Sequence, residues 1–137
     1  MNNILIDIDG TISEVFPQHD YYQYKNAKVV AGSVQSVNTL HDAGNIITFL
    51  TIRPENFKEV TENWLQQNGF KYHALIMNKS KASKYYWINN KDVQAIKYQS
   101  NWKLITDKLS ETKTEEIDLE EKNNYFAALQ NGVNYII

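Results

Sequence analysis

The chain has no cysteine among its 137 residues, which excludes disulfides and thiolate metal sites. It has five glycines and two prolines, and neither a low-complexity linker nor an internal repeat divides it. No apolar run approaches transmembrane length. The first apolar run is short and holds two aspartates, which is unlike a signal peptide. Neither sign of charge dominates: the net charge is −2, so there is no electrostatic case for a nucleic-acid partner. What remains is ordinary globular composition, 42% apolar and 22% charged, in a chain long enough for one domain with a sizeable core. The expectation is a single domain over residues 1–137, cytoplasmic, with no membrane and no nucleic-acid partner.

The organising stretch is Ile4-Leu5-Ile6-Asp7-Ile8-Asp9-Gly10-Thr11. A short β-branched run reads as a strand buried on both faces, as inside a parallel sheet. Gly10 ends it, because the turn needs backbone freedom. Asp7 and Asp9 then sit at the carboxyl end of a buried strand, where open α/β sheets bind ligands. Alternation puts both carboxylates on one side. Two carboxylates that close repel each other unless one is protonated or a cation compensates. The pair suits a Mg²⁺ site, a nucleophile with a general acid, or both. An EF-hand loop is excluded, because its twelfth position counted from Asp7 is Gln18 where a glutamate is needed.

Asp7-Ile8-Asp9-Gly10-Thr11 resembles motif I of the haloacid dehalogenase (HAD) superfamily, Asp-x-Asp-Gly-Thr after an apolar strand. The resemblance implies an α/β fold, a Rossmann-like parallel sheet flanked by helices. It also implies Asp7 as nucleophile, Asp9 as general acid/base, and Mg²⁺ as cofactor.

Residues 12–30 are irregular and aromatic, with Phe16, Tyr21, Tyr22 and Tyr24. In the superfamily this region holds a flap or an inserted cap. About twenty residues cannot build a cap with its own core, so a minimal cap and an open site are expected. The tyrosines suit a packed surface loop, a substrate platform or a subunit contact. From Ser33, a plausible N-cap, to Ala43 the pattern is helical, with Val34, Val37 and Leu40 on one face and Gly44 ending it. Ile46–Leu50 reads as a second buried strand, so strand, helix and strand form a right-handed βαβ unit.

That strand ends in Thr51-Ile52-Arg53-Pro54, similar to motif II, in which a Thr or Ser closes the second strand, often before Arg-Pro. A hydroxyl there can donate to phosphate, and a following helix start offers free N–H groups. A helix follows with Phe57, Val60, Trp64 and Leu65 inward and Gly69 closing it. A third strand is expected over His73–Met77. After it Lys79 resembles the motif III lysine; Lys81 and Lys84 are nearby competitors, but Lys79 is nearest the strand end. Its ammonium would neutralise a phosphate and the aspartate pair.

Tyr85-Tyr86-Trp87-Ile88-Asn89-Asn90-Lys91 resembles motif IV of a capless branch, the phosphatases similar to capsule and lipopolysaccharide biosynthesis proteins. Its first aspartate binds Mg²⁺ there; here Asn89 stands in that place and Asn90 in the next. Asp107 is a rival motif IV acid, after Trp102, Leu104 and Ile105 in a further short strand or docked loop. The resemblance covers residues 4–96, with a core over 1–97 and an extension over 98–137 that holds a helix around Tyr125, Phe126 and Leu129 and a terminal strand over Val133–Ile137.

The implied function is a Mg²⁺-dependent phosphatase acting through an aspartyl-phosphate on a small phosphorylated metabolite, expected to be a sugar phosphate. Asp7 and Asp9 are catalytic, Thr51 and Lys79 hold phosphate, and Asp7, Asp9 and Asn89 hold the metal. The alternative is a degenerate, weak or inactive relative that binds a phosphorylated ligand or a partner. The aromatic flap and apolar terminal strand suggest a homo-oligomer.

Overall fold

A computed structural model describes residues 1–110. The expected helix and strand in the tail beyond them lie outside the described residues. Three parallel strands form the sheet: β1 (Asn3–Ile6), β2 (Ile46–Leu50) and β3 (Ala74–Ile76), in the order β1-β2-β3. Asn3 pairs with Ile46 and Ile6 with Phe49; Thr48 pairs with Ala74 and Leu50 with Ile76. This is the expected α/β class with a Rossmann-like parallel sheet.

The strands form because their β-branched and apolar side chains fit a pleated, buried surface. Ile4 and Ile6 of β1 and Ile47 and Phe49 of β2 are buried in one core with Val37, Leu40, Trp64, Leu65, Phe70 and Trp102. The third strand differs from the expectation. It is shorter, Ala74 is exposed and Ile76 is 47% exposed, because it closes one edge of the sheet with no further strand outside it among the described residues.

Among the described residues four α-helices accompany this sheet: α1 (Tyr21–Lys25), α2 (Ser33–Asp42), α3 (Lys58–Gln67) and α4 (Trp102–Ser110). Helix α2 buries Val37 and Leu40, as their spacing requires. Its N-cap is Gly32 and not Ser33. Ser33 is the first helical residue, and its hydroxyl donates back to the Val30 carbonyl at 2.7 Å. Helix α3 follows a 3₁₀ turn over Glu55–Phe57 and buries Val60, Thr61, Trp64 and Leu65. His73 is structural, as a lone histidine at a strand start usually is. Its Nδ1 accepts from the Ile47 N–H at 3.0 Å and its ring stacks on His41.

One further expectation is corrected. Trp102, Leu104 and Ile105 belong to helix α4, not to a strand or docked loop. The cause is amphipathic spacing: Trp102 is buried in the core while Leu104 is 65% exposed. The block at 85–91 joins no strand, and Ile88 is 96% exposed.

Candidate active site

Motif I begins where β1 ends, so Asp7 and Asp9 stand in the turn beyond the strand and not within it. The turn is tight: the N–H groups of Thr11, Ile12 and Ser13 all point at the Ile8 carbonyl, and Gly10 N–H donates to Ser13 O at 2.8 Å. Gly10 has φ +81°, and a Cβ there would meet Val15 at 3.0 Å, so this position requires glycine. From below, the Trp102 indole N–H donates to the Thr11 carbonyl at 2.8 Å. Helix α4 thereby anchors the turn that carries the two acids.

The loops after β2 and β3 are tied to each other. Thr51 N–H donates to Ile76 O at 2.9 Å, Asn78 N–H to Arg53 O at 2.9 Å and Lys79 N–H to Thr51 O at 2.8 Å. Asn78 takes the left-handed conformation, φ 62°, which asparagine tolerates better than most residues. Its side-chain oxygen accepts from the Glu55 N–H. These bonds bring Lys79 to the strand end that carries Thr51.

Each aspartate has its own cation. Lys79 Nζ lies 3.4 Å from Asp7 Oδ1 and sits over the Tyr85 ring, 4.8 Å from its centre. Burial pushes the Asp7 carboxyl above its ordinary value; Lys79 and the Ile8 backbone pull it back, and Asp9 raises it by a smaller amount. Asp9 faces Arg53 instead. Nε donates to Oδ2 at 3.1 Å and Nη2 to Oδ1 at 2.7 Å, a two-point fork. The Arg53 side chain is 0% exposed and that of Asp9 12%. The repulsion anticipated between the two carboxylates is therefore met within the protein, by separate partners.

Thr51 is fully buried, and its hydroxyl accepts from the Arg53 N–H at 3.2 Å. The proton of that hydroxyl is left to donate. Thus Asp7, Thr51 and Lys79 gather at the carboxyl end of the sheet, with Asp9 in the same turn as Asp7. Asn89 is not joined to them. It is exposed, and its amide oxygen accepts from the Lys91 N–H of its own loop at 3.2 Å. Asp107, the rival acid, lies exposed on α4.

Residues the sequence reading did not assign also shape the site. Arg53 appears there only as a common companion of motif II. Here it is the partner of Asp9, and its Nη1 donates to Thr61 Oγ1 at 3.0 Å. Ser13 Oγ approaches Asp9 Oδ1 at 3.5 Å. An arginine at a strand end, beside a proline and ahead of an apolar helix face, was the available signal, since a charge buried there needs an acid. Nothing in the sequence marks Ser13.

Mg²⁺ takes near-octahedral oxygen coordination, keeps several waters and binds one or two carboxylates together with substrate phosphate. The Asp7 carboxylate is 38% exposed, and the Asp9 main-chain carbonyl accepts no hydrogen bond among the described residues. These two donors fit such an ion. The third ligand position has no acid, and no group of three or more His, Asp or Glu suited to a metal exists among the described residues.

The family model described as "PITM 1-3, LNS2 domain" matches residues 4–125. The chain belongs to the LNS2 domain family. That family has a HAD-like phosphatase fold, so the superfamily resemblance carried by motif I holds. Among curated proteins no sequence match is found. Solved structures show the same fold at low identity. A structural-genomics target from Vibrio cholerae has a TM-score of 0.53 and 16% identity over 94% of this LNS2 chain and 99% of its own. A chain of the Pnkp1/Rnl/Hen1 complex has a TM-score of 0.51 and 18% identity over 82% of this chain. The LNS2 chain spans only 35% of the length of that larger protein.

Proposed function

We propose that this LNS2 chain is a phosphatase of the aspartyl-phosphate type acting on a small phosphorylated substrate. The observation that carries the reading is the Asp7 carboxylate paired with the Lys79 ammonium at the carboxyl end of the sheet, beside Thr51, whose carbonyl accepts from the Lys79 N–H. A partly exposed carboxylate beside a cation suits attack on a phosphorus atom, with Lys79 and the Thr51 hydroxyl proton to hold its oxygens.

In this reading Asp7 forms a bond to phosphorus as the leaving oxygen departs. Asp9 takes up a proton before this step, gives it to that oxygen, then takes one back from the water that cleaves the phosphoryl-aspartate. Thr51 and Lys79 hold the transferring group throughout. Mg²⁺, held by the Asp7 carboxylate and the Asp9 carbonyl, would supply charge neutralisation between carboxylate and phosphate. The flap is short and no cap covers the rim among the described residues, which suits a small sugar phosphate reaching an open site. A neighbouring subunit could complete that rim, and we propose a homo-oligomer on this ground.

The test is turnover of para-nitrophenyl phosphate and a sugar-phosphate panel with Mg²⁺ varied. Mg²⁺-dependent release of phosphate supports the reading, and none at any Mg²⁺ concentration overturns it.

A second reading has its own observation. Asn89 carries no charge and its amide serves its own loop, which favours a weak metal site and a protein that binds phosphorylated ligands without turning them over. A unit charge about 4 Å away is worth about 4 kcal/mol at an effective dielectric near 20, before desolvation. A third of that is roughly tenfold in affinity. Asn89 stands outside the Asp7–Lys79 cluster, so Asn89→Asp is expected to tighten Mg²⁺ binding by about that factor only where its loop closes on the rim, read by calorimetry. Gain of metal with gain of activity supports an enzyme limited by its metal; gain of metal alone supports the binder. Equal Mg²⁺ affinity in both proteins removes Asn89 from the metal site.

A further inference from the structure

The flap helix α1 contains a residue that phosphoryl chemistry alone does not explain. Tyr21 and Tyr22 are 51% and 75% exposed, yet Tyr24 is fully buried. The Arg53 guanidinium stands over its ring, with Cζ 3.8 Å from the ring centre. Phe57 packs edge-on against the same ring at 5.0 Å and Phe16 at 6.1 Å. The phenol oxygen is 2.6 Å from His19 Nδ1, which fixes the ring at its far end. The guanidinium is thus gripped on three sides: Asp9 at its fork, Thr61 at Nη1 and the Tyr24 face beneath it. Of these three partners only Tyr24 comes from the flap.

We propose that Tyr24 is a positioning residue for the acid–base step: its ring seats Arg53, and through Arg53 fixes the Asp9 carboxylate. The proposal rests on the reading of Asp9 as general acid/base. A desolvated cation over an aromatic face is held by the ring's electron density as well as by shape. Without that face the planar fork is free to tilt, and Asp9 tilts with it. Misplacement by about 1 Å of a group engaged in chemistry costs on the order of a hundredfold. The loss falls on proton transfer, so it grows as the leaving group becomes more basic. A role confined to packing would lower all substrates alike.

The experiment compares kcat/KM across aryl and alkyl phosphate monoesters whose leaving groups differ in basicity, with Mg²⁺ present. The proteins are the wild type, Asp9→Asn, Tyr24→Phe, Tyr24→Leu, and a set with progressively fluorinated phenylalanines at position 24. The fluorinated rings keep shape and packing while draining the ring face, so they report even where Tyr24→Leu does not fold. Asp9→Asn is expected to steepen the dependence on leaving-group basicity, with alkyl esters lost by about a hundredfold or more. Tyr24→Phe keeps the face and is expected to follow the wild type. Tyr24→Leu and the most fluorinated ring are expected to lose about tenfold or more on alkyl esters, within the range of general acid–base effects, while para-nitrophenyl phosphate changes much less. If Asp9→Asn steepens the dependence and the position-24 series does not, the role of Tyr24 is wrong and the reading of Asp9 stands. If Asp9→Asn leaves the dependence unchanged, the reading of Asp9 fails and this proposal falls with it.

Discussion

At the scale of single residues, the site is two ion pairs of different character. The Arg53–Asp9 pair is buried and forked, so its value lies in mutual compensation: removing one partner of such a pair typically costs about 3–5 kcal/mol, because the other charge is left buried. Asp9→Asn is expected to destabilise the protein by roughly that amount, measured by urea unfolding, and Arg53→Met added to it should recover much of the loss. The Lys79–Asp7 pair is looser and partly exposed. Its signature is a pH dependence, because burial raises the Asp7 pKa above that of the unfolded chain. Between those two values the folded state keeps a proton that the unfolded state releases, so in metal-free protein stability falls as pH rises through that window and levels off above it. Lys79 opposes the shift. Lys79→Met is expected to extend the window upward and deepen the fall, measured by unfolding across a pH series without Mg²⁺. Asp7, Asp9, Thr51 and Lys79 are legible in the sequence because each stands where an apolar run breaks, and such breaks mark strand ends. The Arg53–Asp9 pairing is not legible, since it joins loops 44 residues apart through side-chain directions that no periodicity encodes.

At the scale of elements, helix α4 links the end of the described chain to motif I. Trp102 is 4% exposed and its indole holds the Thr11 carbonyl. Trp102→Ala is expected to cost about 3–5 kcal/mol, as buried aromatic truncations do. Trp102→Phe fills much of the same volume and loses the hydrogen bond, whose net worth is about 0.5–1.5 kcal/mol, plus any cost of leaving the Thr11 carbonyl unpaired. Urea unfolding of both variants separates packing from the bond. The sequence shows β1, α2, β2 and α3 because their apolar periods are long and bounded by glycines at 44 and 69, both with positive φ. It hides α4, since Trp102, Leu104 and Ile105 are close enough in sequence to read as strand or helix alike, and length alone arbitrates. It also overstates the length of β3: the stretch His73–Met77 reads as strand, while only Ala74–Ile76 forms it.

At the scale of the whole molecule, the LNS2 fold gathers the carboxyl ends of parallel strands into one rim and leaves that rim uncovered among the described residues. The loop bonds after β2 and β3 fix Thr51 and Lys79, and the motif I turn with Trp102 beneath it fixes Asp7 and Asp9. The flap adds Tyr24 as a wall behind Arg53. The central claim is that this rim makes a covalent bond to phosphorus through Asp7. The direct measurement is peptide mass analysis after mixing the protein with Mg²⁺ and acetyl phosphate and quenching rapidly in acid. One added phosphoryl group on the peptide that holds Asp7, absent from the Asp7→Asn protein, is the expected result. A phosphoryl group on another residue, or none on wild type under conditions where it releases phosphate from para-nitrophenyl phosphate, would contradict the account.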